Sequence, residues 1–476
     1  MLFEILYFVI VGMNNKYKSL IKDTLIFAVG SIGVRLILFF LVPLYTNFLS
    51  KEEFGIADLI FTVSQFIIPF VSLVIFDAVM RFGLSKDEKK EDVLLCGLLV
   101  CGVGSLVTVL LTPLLGFYET IAPWKWHLSL YVVIALLLYV EQNYVKAKGQ
   151  NKLYVAMSIT QTLTMALTNI LFIVIIPMGI DGYVIANIVG ISVSALGFFL
   201  FGRLWRDLKV ARFSPKLLKR MLLFSAPLIL NNISWWVIYS ANKIVVEAVL
   251  GAAVLGLYTA ASKIPALINV VISIFQQSWG ISSVKEVESS NDSDFYSNIF
   301  NVFSFIAFAM SIGLILIIKP FMTLYVGAEF VESWRYVPIL LASATFSAIS
   351  SYFVSMYAAL KKSVNNMVTT LIGALLNLGI CLLLVKEIGI WAAVIGTFAA
   401  YFVMAIARMV DVKRYLKIKV DLPRLILNTV ILIAEAVLVS FEIRIYLVSS
   451  VALVLFLLVN FKFMKLLLQK FFKKTA

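Results

Sequence analysis

Long apolar runs recur along the whole 476-residue chain, for example at residues 93–111 and 445–459. A helix that crosses a bilayer needs about 20 mainly apolar residues, and it satisfies its own backbone hydrogen bonds within the hydrocarbon. Only 14% of the residues are charged, whereas a soluble domain uses about 25%. The runs therefore predict an all-α polytopic membrane protein. They exclude a soluble enzyme, a secreted disulfide-bonded domain and a disordered chain.

Fourteen transmembrane helices are predicted from these runs. They lie near residues 24–48, 55–80, 93–117, 128–145, 153–176, 180–202, 221–249, 254–281, 299–318, 337–360, 364–385, 389–409, 425–441 and 445–461. If the N-terminus is cytoplasmic, the cytoplasmic segments hold 31 of the 40 Lys and Arg residues and the outer segments hold six. Because Lys and Arg concentrate on the cytoplasmic side of membrane proteins, we expect both termini there. The net charge of +14 then reflects topology, and nucleic acid is not an expected partner.

A weak internal repeat relates the two halves of the chain. An offset of 201 aligns Gly55 with Gly256, and an offset of 210 aligns Gly179 with Gly389. The repeating unit is six helices, so the two halves are expected to be parallel repeats. The predicted domains are an N-terminal lobe at 13–202 with spans one to six, a basic cytoplasmic linker at 203–220, a C-terminal lobe at 221–410 with spans seven to twelve, and an appended part at 411–476 with the last two spans and a basic tail.

Two stretches of sequence carry a family resemblance. The first comprises residues 32–35 and 41–55, and the second comprises residues 227–229, 240–243 and 251–263. Both resemble the Wzx-type polysaccharide and oligosaccharide flippases of the multidrug/oligosaccharidyl-lipid/polysaccharide exporter superfamily. In that family an acidic residue usually precedes a basic one just before the glycine-containing turn of the second stretch. This chain instead has Asn242 before Lys243. The role of the acidic position is therefore not carried over.

Three cations interrupt the apolar runs: Arg35, Lys243 and Lys263. A charge near the bilayer centre costs about 2.5–3.5 kcal/mol on insertion scales, so such residues usually face a cavity or a partner. For Arg35 and Lys263 we expect a cavity and an anionic ligand, with interhelical ion pairs as the alternative. Lys243 is a further substrate-binding candidate, although it could instead pair with Glu247 one turn later or reach the outer surface.

Four acids are candidates for coupling or gating: Asp58, Asp77, Glu141 and Glu247. Asp58 lies near the outer end of its span, where a structural role is an equal alternative. Asp77 is one turn from Arg81, and a solvated ion pair is the simpler explanation of both. Glu141 is a candidate proton site or partner of a cavity cation.

Four amides within predicted spans are candidates for hydrogen bonds to sugar hydroxyls: Asn231, Asn232, Gln276 and Gln277. Polar side chains also tie membrane helices together, and this alternative stays open. Pro43, Pro227 and Pro265 interrupt spans one, seven and eight, and each permits a kink because proline lacks a backbone N–H.

No cofactor or metal site is expected. The three cysteines lie in apolar runs without metal-ligand spacing, and the single histidine, His127, lies next to a tryptophan at a predicted membrane edge. A membrane glycan polymerase or acyltransferase would need a larger outer loop or an intramembrane acid or histidine cluster, so an enzyme is not expected.

The resemblance implies a flippase that moves a polyisoprenyl-diphosphate-linked oligosaccharide to the outer leaflet, for O-antigen or capsule biosynthesis, by alternating access through a cationic central cavity. The implied partners are this glycan, the lipid bilayer and glycan polymerase or assembly proteins, and the implied location is the prokaryotic cytoplasmic (inner) membrane. A lipid II type flippase and a multidrug or small-molecule antiporter are the alternatives.

Overall fold

The structure, a computed structural model, describes residues 33–85, 87–289, 293–360 and 362–475. Within these ranges the regular structure is helical and contains no strand. Helices are the expected solution for apolar runs of this length, because each closes its backbone hydrogen bonds within one segment.

Two compact units make up the chain. The first unit contains residues 56–236 and the segment that ends at Leu49. Its helices, of which α2 begins in the second unit, are α1 (Gly33–Phe48), α2 (Lys51–Ser72), α3 (Ile75–Gly83), α4 (Lys90–Leu111), α5 (Lys125–Ala147), α6 (Asn151–Asn169), α7 (Gly179–Phe201), α8 (Leu204–Val210) and α9 (Pro215–Trp236). Within this unit α5 packs against α3, α4 and α7.

The second unit contains Ser50–Gly55 and Val237–Ala476. Its helices are α10 (Asn242–Leu250), α11 (Ala252–Ser262), α12 (Ala266–Ser289), α13 (Ser293–Tyr325), α14 (Val337–Ala359), α15 (Ser363–Ile388), α16 (Ile390–Val412), α17 (Leu422–Ser440) and α18 (Ile445–Thr475). Helix α16 packs extensively against α15 and α14. The two units are defined by compactness, whereas the predicted lobes at 13–202 and 221–410 and the linker at 203–220 come from the sequence repeat. The lobes and the linker therefore stay predictions.

Twelve helical segments in the described ranges are long and apolar enough to cross a membrane, and one bent pair raises the number to thirteen. The shorter apolar helix α1 lies at the first predicted span, whose first residues, 24–32, fall outside the described ranges. The all-α polytopic class is therefore confirmed. The count of fourteen spans and the cytoplasmic termini stay predictions.

The bent pair consists of α11 and the first part of α12, which meet at an angle of 41°. The break contains Lys263 and Pro265, so the predicted kink at Pro265 is confirmed. Pro227, in contrast, lies inside the continuous helix α9. The chain enters a π-helix only after that helix, at Val237–Ala241.

Two glycines of the second unit allow the start of α2 to cross α11 at very short distance. A Cβ atom on Gly55 would lie 2.1 Å from the Ala252 carbonyl oxygen, and one on Gly256 would lie 2.0 Å from the Lys51 carbonyl oxygen. The offset of 201 relates Gly55 to Gly256 and Lys51 to Ala252. The crossing is therefore reciprocal, as in a two-fold contact.

Two neutral amides, Asn242 and Asn377, form a hydrogen-bonded group beside the π-helix. The Asn242 amide donates to Asn377 Oδ1 at 2.8 Å and to Thr397 Oγ1 at 3.2 Å. Asn377 Nδ2 donates in turn to the carbonyl oxygen of Ile238, inside the π-helix. The asparagine at the position where the family usually has an acid thus ties α10 to α15 and α16 through uncharged bonds.

Candidate functional site

The predicted site residues divide between the two units. The first unit holds Arg35, Asp58, Asp77, Glu141, Asn231 and Asn232, and the second holds Lys243, Glu247, Lys263, Gln276 and Gln277. Each unit therefore carries at least one predicted cation and one predicted acid.

Exposed and half-buried polar groups occur on two apolar helices of the first unit. Arg35 is exposed on α1, and Asn231 and Asn232 are half-buried near the end of α9. Asn232 Nδ2 donates to the Leu228 carbonyl oxygen at 3.0 Å, within its own helix. This bond ties α9 to no other helix, and the sugar-binding role expected for both asparagines stays a prediction.

Asp58 is buried on α2, with 6% of its surface exposed. Its carboxylate lies within electrostatic range of Tyr183, whose ring is 4.7 Å from that of Tyr45 and 5.6 Å from that of Phe61. The acid thus belongs to an aromatic cluster that joins α1, α2 and α7. Both the gating role and the structural role remain compatible with this position.

A second group of side chains in the first unit was not anticipated from the sequence. We call it the aromatic wall, and it consists of Phe61, Gln65, Phe66, Tyr131, Tyr139 and Trp236. Gln65 is exposed and the other five are half-buried. Gln65 Nε2 donates to Tyr139 Oη at 3.4 Å, which links α2 to α5.

Ring contacts order the rest of the aromatic wall. Phe61 and Tyr131 meet edge to face at 4.8 Å between ring centroids, and Phe66 and Trp236 are 4.6 Å apart. The indole N–H of Trp236 donates to the Thr62 carbonyl oxygen at 3.0 Å. These contacts hold the rings in place. The lone glutamine in an apolar run was a visible signal, but its partner on α5 was not.

Two further acids of the first unit have different surroundings. Asp77 is half-buried on α3, and the charge that acts on it is the Lys146 ammonium of α5, whereas Arg81 is exposed. Glu141 is only 6% exposed, and its Oε2 atom has no hydrogen-bond partner among the described residues. An ionisable residue within a span is a functional candidate by default.

The predicted cations of the second unit lie on α10 and at the break after α11. Lys243 and Lys263 are both half-buried, and Glu247 is buried with 7% of its surface exposed. Lys263 follows the last residue of α11, and its backbone N–H donates to the Ala260 carbonyl oxygen at 3.3 Å. Gln276 is half-buried on α12, and the side chain of Gln277 lies outside the described part.

Arg408 is a buried cation near the end of the predicted span 389–409. It lies inside α16 and is 1% exposed. Its Nη1 and Nη2 atoms donate to Ser350 Oγ and Thr370 Oγ1, both at 2.8 Å, and Nε donates to Thr369 Oγ1 at 3.0 Å. These partners are neutral hydroxyls of α14 and α15. Within the described ranges no group of three or more His, Cys, Asp or Glu residues could hold a metal ion.

The family follows from a match over residues 20–279 to the family described as polysaccharide biosynthesis protein. This stretch covers more than half of the 476 residues. The chain belongs to this family. The resemblance to the polysaccharide flippases is thereby confirmed. No curated protein sequence matches this family member.

Solved transporter structures share the fold of this family member. The lipid II flippase MurJ in an inward closed conformation is 15% identical, with a TM-score of 0.68 over 93% of this chain and 100% of that chain. An inward-facing multidrug resistance MATE family transporter of the MOP superfamily is 15% identical, with a TM-score of 0.62 over 80% and 97% of the two chains. A mutant Vibrio cholerae MATE transporter is 16% identical, with a TM-score of 0.57 over 84% and 97%. At these identities the likeness shows the fold alone.

Proposed function

We propose that this protein is a flippase that moves a polyisoprenyl-diphosphate-linked oligosaccharide from the cytoplasmic to the outer leaflet, for O-antigen or capsule biosynthesis. Membership of the polysaccharide biosynthesis protein family supports the substrate class. The transporter fold supports translocation rather than a reaction. The proposed location is the cytoplasmic membrane of a prokaryote, and glycan polymerase or assembly proteins are proposed partners.

The observation that carries the proposal is polar surface on apolar helices of the first unit. Arg35 is exposed on α1 and Gln65 is exposed on α2. Polar groups that face hydrocarbon lose their hydrogen bonds to water, so such surfaces require an aqueous path through the membrane. A glycan diphosphate needs the same kind of path, because its hydroxyls and phosphates are as costly to dehydrate.

Arg35 and Lys263 are the proposed ligands of the diphosphate, with Lys243 as a third cation. Alternating access through the cationic cavity predicted from the sequence would carry the headgroup while the lipid tail stays in the bilayer. A cytoplasm-negative potential favours outward movement of an anion by about 2.3 kcal/mol per charge per 100 mV. Asp58, Asp77, Glu141 and Glu247 are proposed to couple or gate this movement.

A lipid II type flippase is the second candidate function. The observation that favours it is the similarity to MurJ over 93% of this chain. Both substrates are polyprenyl diphosphates that carry sugars, so the same cations would serve either. A multidrug or small-molecule antiporter is the third candidate, and the observation that favours it is the similarity to a multidrug resistance MATE family transporter.

The test is translocation of a labelled polyprenyl-diphosphate oligosaccharide, and in parallel of lipid II, in proteoliposomes. We expect Arg35→Ala and Lys263→Ala each to lower the rate for the oligosaccharide at least about tenfold, since each removes a charge-assisted contact. Lys152→Ala, which removes an exposed cation at the start of α6, is the matched control and should keep the full rate. Full translocation by both variants would remove these residues from the substrate path. Transport of lipid II alone would select the second candidate, and transport of neither lipid would favour an antiporter.

A further inference from the structure

The aromatic wall of the first unit lies deep within a span. Gln65 follows the first residue of α2, Lys51, by fourteen residues, which is about 21 Å along the helix axis. Its side chain is exposed at this depth. An amide that faces hydrocarbon there would lose hydrogen bonds to water, so the surface around Gln65 is one that water or a polar ligand reaches.

The partners of the Gln65 amide hold it in place without using its full bonding capacity. The bond to Tyr139 Oη is long, at 3.4 Å, and the amide also acts on the Tyr131 hydroxyl of the same helix. A primary amide offers two donors and two acceptor lone pairs. Capacity therefore remains for a ligand that both donates and accepts, as sugar hydroxyls do.

The rings beside Gln65 are fixed by contacts of their own. Tyr139 packs edge to face on Phe76 at 5.5 Å, and Trp236 is anchored through Thr62. Fixed aromatic surface next to a small number of polar groups is typical of sites that bind a small ligand through both apolar and polar contacts. A pyranose ring has this dual character, with C–H groups on its faces and hydroxyls at its edge.

The aromatic wall is uncharged, so its expected ligand is not the diphosphate. None of the six residues carries a formal charge. A diphosphate is bound by cations through charge-assisted hydrogen bonds, which this surface lacks. The ligand that fits is therefore a neutral sugar.

We propose that the aromatic wall is a glycan subsite, in which Gln65, Tyr131 and Tyr139 bind sugar hydroxyls and the Phe66 and Trp236 rings pack on a sugar face. This inference rests on the proposed function, because it assigns the glycan of the same substrate to a defined surface. The diphosphate is bound elsewhere, by cations.

The experiment measures Kd for two lipids with the purified full-length protein in nanodiscs. The first lipid is a polyprenyl-diphosphate oligosaccharide, and the second is the sugar-free polyprenyl diphosphate. In Gln65→Leu we expect affinity for the glycan lipid to fall about tenfold, while affinity for the sugar-free lipid is unchanged. Tyr139→Phe removes only a hydroxyl and should lower affinity for the glycan lipid about threefold. Gln161→Leu, the same exchange of an amide on α6, should change neither value.

Each outcome separates the subsite from the proposed function. Equal losses for both lipids in Gln65→Leu would mean that the wall only supports the fold, and unchanged affinities would remove Gln65 from the site. Equal affinity of the unmodified protein for both lipids would overturn the glycan subsite and leave the flippase proposal standing. Binding of neither lipid would overturn the proposed function, and the subsite with it.

Discussion

At the scale of single residues, the second unit buries a full positive charge with neutral partners. Arg408 donates to Ser350, Thr369 and Thr370, and these bonds join α16 to α14 and α15. Burying an ion costs several kcal/mol unless bonds replace its hydration. The planar guanidinium can reach three hydroxyls at once because its five N–H groups point in fixed directions. Arg408 therefore acts as a pin among three helices.

Replacing Arg408 with lysine should destabilise the protein more than replacing it with methionine. Lysine keeps the buried charge, but one ammonium cannot reach all three hydroxyls, and we expect a loss of about 2–4 kcal/mol. Methionine removes the charge, while Thr369 and Thr370 keep their bonds to the Asn365 and Asn366 carbonyl oxygens. Thermal unfolding of Arg408→Lys and Arg408→Met in detergent checks the order. A higher Tm for the lysine variant would show that charge matters more than geometry.

At the scale of elements, close approach of two helices depends on the absence of two side chains. The start of α2 crosses α11 with Gly55 and Gly256 at the contact, and both sides of the crossing belong to the second unit. A Cβ atom at 2.0–2.1 Å from a backbone oxygen cannot be relieved by a side-chain rotation. The two backbones must therefore separate if either glycine is replaced.

Gly55→Ala should lower the free energy of unfolding by about 1–3 kcal/mol, the usual cost of overpacking. Gly379→Ala is the matched control, since Gly379 lies in helix α15 and a methyl group added there would have no other described atom within 4 Å. Alanine there should be neutral or stabilising by up to about 1 kcal/mol, because glycine is the poorer helix former. Thermal unfolding of both variants provides the measurement. Equal stability of the two would mean that the crossing relaxes without cost.

At the scale of the whole molecule, the distribution of Lys and Arg predicts which segments face the cytoplasm. In right-side-out vesicles a membrane-impermeant maleimide should label Glu119→Cys and Lys386→Cys, and it should not label Lys216→Cys or Lys413→Cys. Inside-out vesicles should reverse the pattern. The three native cysteines are buried, so background labelling should be low. Labelling of position 216 from outside would contradict the predicted topology.

The helical segments were predictable because their determinants are local. A run of about 20 apolar residues must close its own hydrogen bonds, and this requirement does not depend on its neighbours. Proline lacks a backbone N–H, which permitted a kink at Pro265 and equally at Pro227. The chain breaks at the first and continues as helix α9 through the second, so the local signal alone did not decide the outcome. Arg408 lies at the end of the predicted span 389–409, whereas α16 continues to Val412.

Helix packing decided which polar residues come into contact with one another. Gln65 and Tyr139 are 74 positions apart, and Arg408 and Ser350 are 58 apart. Helical periodicity states which face a residue shares with its near neighbours, but it contains no information on which other helix covers that face. Composition and local chemistry were enough for the class of protein and its helices. The aromatic wall, the arginine pin and the glycine crossing exist only because packed helices bring residues that are distant in the sequence into direct contact.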